Sequence, residues 1–131
     1  MTITTQNDSP GKDRILLVDD DQDTLELLEL GVKSFGFDCV KANDGLEAMD
    51  ILEKESFSIV ITDMMMPKVG GLELLKHVKT SYPRTSVVVV TGYTGTFSYV
   101  DVIKAGASDF IVKPFKEDKV LEIVKRITGQ S

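Results

Sequence analysis

Short apolar runs recur along the chain, and after each one the hydrophobic period changes. Ile15-Leu16-Leu17-Val18 is continuous and apolar, as befits a strand buried on both faces. Beyond Asp19 and Asp20 the apolar residues space out. Leu25, Leu28, Val32 and Phe35 follow a helical period with Glu26, Glu29 and Lys33 between them, and Gly36 stops the helix. Cys39 to Ala42 reads as a short second strand. Asn43-Asp44-Gly45 then supplies turn and cap chemistry for a helix through Leu46, Met49 and Leu52. Ser58 to Thr62 is a third strand ending at Asp63. A loop with Pro67 and Gly70-Gly71 leads from it into a helix with Leu72, Leu75 and Val78 inward, and Pro83 closes that unit. Ser86 to Val90 forms a fourth strand ending at Thr91, and Gly92-Tyr93-Thr94-Gly95-Thr96 reads as a mobile loop. A short helix through Val100 and Ile103 ends at Gly106. Phe110 to Val112 is a fifth strand, followed by Lys113-Pro114. The last helix carries Val120, Ile123, Val124 and Ile127 on one side, with Glu122 and Arg126 as an i,i+4 pair on the other.

Five strands alternating with five helices predict an α/β fold, a doubly wound parallel sheet with helices on both faces. Right-handed crossovers leave few topologies, of which the flavodoxin-like order 2-1-3-4-5 is the expectation for five strands. At 131 residues there is room for one domain, expected over 14–129, after a polar stretch from Met1 to Asp13 that reads as a disordered leader.

Charge and composition narrow the function. A net charge of −6 opposes unaided nucleic-acid binding, because phosphate backbones attract a surplus of Lys and Arg. The leader lacks the basic and apolar regions of a signal peptide. The aliphatic run Val87 to Val90 is far short of the roughly 18 residues of a membrane span, so a cytoplasmic protein is expected. One cysteine and one histidine exclude an internal disulfide and multi-Cys or multi-His metal sites.

What remains is a polar rim. In open α/β sheets ligands bind beyond the carboxyl ends of the strands, where the strand order reverses. Asp19, Asp20 and Asp63 follow the first and third strands, with Thr91 after the fourth and Lys113 after the fifth. Clustered carboxylates repel unless a cation intervenes, and an all-oxygen hard site suits Mg²⁺. Mg²⁺ invites a phosphoryl group, whose other oxygens Lys113 and Thr91 can hold, leaving one carboxylate as nucleophile. Taken singly, an acidic pair after a strand is often only a solvated helix start. The convergence of all five residues on one edge carries the functional reading.

The segments ILLVDDD, VITDMMMP, VVVVTGY and ASDFIVKPF resemble, in order and spacing, the markers of the response-regulator receiver domains of two-component signalling. The resemblance runs from about Arg14 to Thr128. It implies Asp63 as phosphoacceptor, with Asp20 as a direct Mg²⁺ ligand, Asp19 acting through water, and the backbone carbonyl of Met65 completing the metal site. Thr91 and Lys113 match the groups that contact the phosphoryl oxygens, and Phe110 matches the switch aromatic that moves with Thr91. A cis bond before Pro114 is expected on the same ground. The implied partners are a histidine kinase or phosphotransfer protein upstream, and a downstream protein or an output domain outside this chain. Dimerisation on phosphorylation is a further expectation. Such a domain catalyses only its own phosphotransfer and dephosphorylation. Met65 and Tyr93, two residues beyond Asp63 and Thr91, are expected to shield the acyl phosphate from water.

Other conspicuous residues read more plainly. Met64-Met65-Met66 reads as core and loop packing, Cys39 as a buried small hydrophobe, and His77 between two lysines as solvated. Asp21 and Asp23 suit the start of the first helix. Tyr93, Phe97 and Tyr99 could anchor a partner or fill the core. A haloacid dehalogenase-like phosphohydrolase is the alternative, since Asp19 and Asp21 have its DxD spacing; it would leave Asp63 without a purpose. A nucleotide-binding Rossmann turn requires glycines where three aspartates stand.

Overall fold

The structure, a computed structural model, describes residues 14–66, 68–92 and 99–129, with the side chain of Tyr99 excepted. The expected leader, Pro67, Tyr93, Phe97 and most of the loop after Thr91 lie outside these residues. Elements run β1 (Arg14–Val18), α1 (Gln22–Lys33), β2 (Asp38–Ala42), α2 (Gly45–Lys54), β3 (Ile59–Asp63), α3 (Gly71–Ser81), β4 (Ser86–Thr91), α4 (Tyr99–Lys104), β5 (Asp109–Val112) and α5 (Glu117–Thr128). The sheet is parallel throughout, in the order β2-β1-β3-β4-β5, as predicted.

Alternation along each strand divides the interior into two layers. Leu16, Val18, Val60, Val87 and Val89 meet Ala48 and Leu52 of α2, Leu74, Leu75 and Val78 of α3, and Val102 of α4. Ile15, Leu17, Ile59, Ile61, Val88, Val90 and Ile111 meet Leu25, Leu28 and Val32 of α1 and Val120, Ile123 and Val124 of α5. Each fully buried Leu or Ile contributes about 1.5–3 kcal/mol, so these layers carry the fold.

Cap chemistry sets where the helices begin and end. Asp44 accepts the Glu47 N–H at 2.8 Å, while the Glu47 carboxylate accepts the Asn43 N–H at 2.7 Å, a reciprocal N-cap for α2. After α1 the chain turns at Gly36, whose φ of 91° favours glycine.

Several local expectations are corrected. Arg126 pairs with Asp109 at the start of β5, and Glu122 lies 3.8 Å from Lys119. The guanidinium therefore reaches across to the sheet, where a half-buried carboxylate holds it better than a solvated one along the helix. Val100 is exposed, and in α4 Val102 is buried. Likewise α3 buries Leu74 beside Leu75, leaving Leu72 only half-buried. Cys39 is half-buried, on β2 at the edge of the sheet. His77 is also half-buried, its ring edge-on to Tyr82 at 5.9 Å because that residue folds back at the end of α3. Met64 is buried and Met66 half-buried, but Met65 is 65% exposed. Beyond β3 the chain leaves the sheet, and the middle methionine turns away from the core.

Candidate functional site

Each strand end is extended by one further ladder bond, which fixes the residues of the rim. The Asp19 N–H donates to the Ala42 carbonyl at 3.1 Å, the Met64 N–H to Val90 at 2.9 Å and the Lys113 N–H to Thr91 at 2.8 Å. Asp19 and Lys113 therefore leave β1 and β5 in register, and Asp63 ends β3 opposite Val90. The alternation that sends Leu17, Ile61 and Ile111 toward α1 and α5 places Asp19, Asp63 and Lys113 on the same side. Thr91 continues the other alternation, after Val87 and Val89, and Phe110 packs against that same layer.

Asp19, Asp20 and Asp63 each offer a carboxylate oxygen within 4.8 Å of the others. Lys113 Nζ lies 3.4 Å from Asp19 Oδ2 and 3.4 Å from Asp63 Oδ1. Asp19 is fully buried and its Oδ1 accepts the Asp21 N–H at 2.9 Å; Asp63 and Thr91 are buried as well, and Asp20 is exposed. Burial is the main cause that pushes the Asp19 carboxyl up from 3.8 to about 6, reinforced by the charge of Asp63 and opposed by the Asp21 N–H and Lys113. Burial likewise raises Asp63, against the pull of Lys113. Burial would depress Lys113, but attraction to Asp19 and Asp63 prevails and its ammonium is held above its ordinary value. Among the described residues, three carboxylates face one ammonium, which leaves two negative charges uncompensated. With oxygen as the only donor, that set suits a hard dication such as Mg²⁺.

The backbone behind the site is close-packed. An added Cβ at Gly71 would lie 2.2 Å from the Asp63 carbonyl oxygen and 2.7 Å from Met64 Cα, so α3 begins directly against the candidate acceptor. Gly71 also donates its N–H to the Met64 carbonyl at 2.9 Å, closing the β3–α3 loop. The Gly-Gly pair after Asp63 hints at this; its contact with the strand end is a tertiary fact that spacing does not carry.

All the rim residues expected from the sequence are thus brought to one edge: Asp19, Asp20, Asp63, Thr91 and Lys113. Met65 lies on the loop beside them, and the Lys113–Pro114 bond is cis as expected. Asp21 stands at the N-cap of α1 and takes the Thr24 hydroxyl at 2.7 Å, which holds its carboxyl below the ordinary value. Asp21 is thus engaged by its own helix, and the carboxylates brought together are Asp19, Asp20 and Asp63, which gives the DxD pairing of Asp19 with Asp21 no support.

Residues 15–125 match the response regulator receiver domain family, and the chain belongs to it. It is similar to the response regulator protein PilR of Pseudomonas aeruginosa, with 34% identity over 113 residues, covering 86% of this chain and 25% of PilR. The transcriptional regulatory protein CpxR of Escherichia coli is 32% identical over 118 residues, covering 90% of this chain and 50% of CpxR. This chain therefore spans a quarter to a half of these curated relatives. Among solved structures, the receiver domain of NtrX from Brucella abortus superposes with a TM-score of 0.82 at 30% identity, covering 89% of this chain and 99% of that one. A CheY-like receiver from Methanospirillum hungatei gives a TM-score of 0.83 at 30% identity, covering 92% and 95%. The chain is a receiver domain of two-component signalling, a class of switches that work with histidine kinases. Among the described residues no helix is long and apolar enough to cross a membrane.

Proposed function

We propose that Asp63 accepts a phosphoryl group from a phosphohistidine of a partner kinase or phosphotransfer protein. A carboxylate oxygen of Asp63 attacks phosphorus as the P–N bond to the partner's imidazole breaks, and the imidazole leaves with the electron pair and takes up a proton. The observation that carries this reading is the placement of Asp63: buried, 3.4 Å from Lys113, and grouped with two further carboxylates. Asp20, Asp63 and the Met65 carbonyl would hold Mg²⁺, with Asp19 acting through water. Bound there, the ion would neutralise the charge gathered on the phosphoryl oxygens. Lys113 leaves its carboxylate partners to pair with one of those oxygens, and the Thr91 hydroxyl donates to another.

The response is a shift between two conformations of the face formed by α4, β5 and α5. Thr91 and Phe110 occupy the same side of the sheet on adjacent strands, so an inward move of one frees or fills space for the other. Beside Phe110 an open groove of about 470 Å³ runs past Val112, Pro114, Phe115 and Lys119. A downstream protein, an output domain or a second receiver would read the change there. Phe110 has no hydroxyl, so it signals by packing alone.

Intact mass after incubation with acetyl phosphate tests the assignment on the native chain and on Asp63→Asn, with and without Mg²⁺. One labile phosphoryl adduct is expected, dependent on Mg²⁺ and absent from the variant. An adduct that persists in Asp63→Asn would overturn it.

A further inference from the structure

The loop that carries Met65 is held from outside the rim. Lys68 adopts a φ of 68°, a conformation that side chains other than glycine and asparagine rarely take, so the loop is not relaxed by itself. Two contacts with the start of α2 oppose that strain. An added Cβ at Gly45 would lie 2.4 Å from the Val69 carbonyl oxygen and 2.8 Å from its Cβ, so the backbone of the helix start lies directly against the backbone and side chain of Val69. One residue earlier, the Asp44 carboxylate that caps α2 lies 3.6 Å from Lys68 Nζ. Gly71 closes the loop at its far end against Asp63.

We infer that the first turn of α2 positions the β3–α3 loop for metal binding: Gly45, by admitting Val69, and the Asp44–Lys68 pair together hold the Met65 carbonyl where the cation needs it. This rests on the Mg²⁺ site proposed above. None of the three residues touches the ion in this role; they are positioning residues. Gly45 carries most of the effect, because its contact is with backbone that cannot step aside. Lys68 is largely exposed and its ion pair is weak, as surface pairs are.

Mg²⁺ affinity, followed by amide chemical shifts during a MgCl₂ titration, separates positioning from mere stability. Gly45→Ala is expected to weaken Mg²⁺ about tenfold or more. Leu52→Ala, which loosens the buried face of α2 about two turns beyond Gly45, is expected to leave affinity unchanged at comparable destabilisation. Lys68→Met gives a test by sign. Removing a cation near the site should tighten Mg²⁺ by simple electrostatics, whereas loss of the hold on the loop should weaken it about twofold to fivefold. Should Gly45→Ala fail to fold, Lys68→Met decides. Unchanged or tighter binding in a folded variant overturns the inference while leaving the metal site standing. A native chain that shows no Mg²⁺ response removes the site itself, and the inference with it.

Discussion

Asp19 is the residue with most at stake in the absence of metal. It is fully buried, and its carboxyl is pushed up from 3.8 to about 6, first by burial and then by the neighbouring charge of Asp63. Between these values the folded chain keeps a proton that the unfolded chain has released. Stability contributed by this group therefore falls as pH rises through the window and is flat above it. Asp63, raised for the same reason, adds in the same direction. Carboxylates such as Asp44, held low by the backbone N–H of Glu47, act oppositely at lower pH, so the native curve alone is a composite. Asp19→Asn isolates the effect, since the amide oxygen can still accept the Asp21 N–H. Urea unfolding of the metal-free proteins from about pH 4 to 7 should show native stability dropping relative to the variant. Parallel curves would refute this origin for the raised value. The same residue shows what was legible beforehand. Asp19, Asp20, Asp63, Thr91 and Lys113 could be located because they stand at or within two residues of the end of an apolar run whose length and continuity mark a buried strand. The partner of Arg126, the outward turn of Met65 and the contact of Gly45 with Val69 depend on neighbours distant in sequence, and no local period encodes them.

At the scale of elements, the α1–α5 pair shows how closely packing is specified on the side of the sheet that carries Asp19 and Lys113. Gly31 sits in the last turn of α1, and glycine within a helix ordinarily costs up to about 0.5–1 kcal/mol relative to alanine. An added Cβ there would stand 2.9 Å from Val120 Cβ and 3.0 Å from the Glu117 carbonyl oxygen, at the first turn of α5. Helix propensity therefore favours Gly31→Ala, and packing opposes it. Overpacking of a tight contact that includes backbone costs about 1–3 kcal/mol, so the steric cost should win. The variant is expected to be less stable by about 1–2 kcal/mol, read as a lower urea midpoint at unchanged slope. A stabilised variant would mean that α5 slides away freely. Helical period predicted the buried stripes of both helices, since apolar residues recur every three to four positions. It passed over Gly31, because a glycine has no hydrophobicity to register, and it missed Leu74, which widens the stripe of α3, and Val102, which is buried in α4 where Val100 is exposed.

For the molecule as a whole, the order β2-β1-β3-β4-β5 makes β1 and β3 neighbours, and their carboxyl ends bring three aspartates together. That arrangement concentrates negative charge on a chain whose net charge is already −6, so folding works against electrostatic repulsion at this edge. Two remedies are physically distinct. Any salt screens the overall field, over a Debye length of about 8–10 Å near physiological ionic strength. A dication seated among Asp19, Asp20 and Asp63 acts instead by binding the folded state alone. Its stabilisation grows with concentration and reaches about 2.7 kcal/mol at a hundredfold excess over Kd. Thermal unfolding in MgCl₂ should therefore shift upward by several degrees beyond the shift in NaCl of matched ionic strength. Asp20→Ala should reduce the excess, because it removes a ligand from the exposed lip of the cluster while the buried pair with Lys113 persists. Asp63→Asn should reduce it too. Equal shifts in the two salts would mean that the edge responds only to screening and that the aspartates do not form a cation site. An excess shift that both substitutions remove would tie the stability of the fold to the charge balance of its proposed switch.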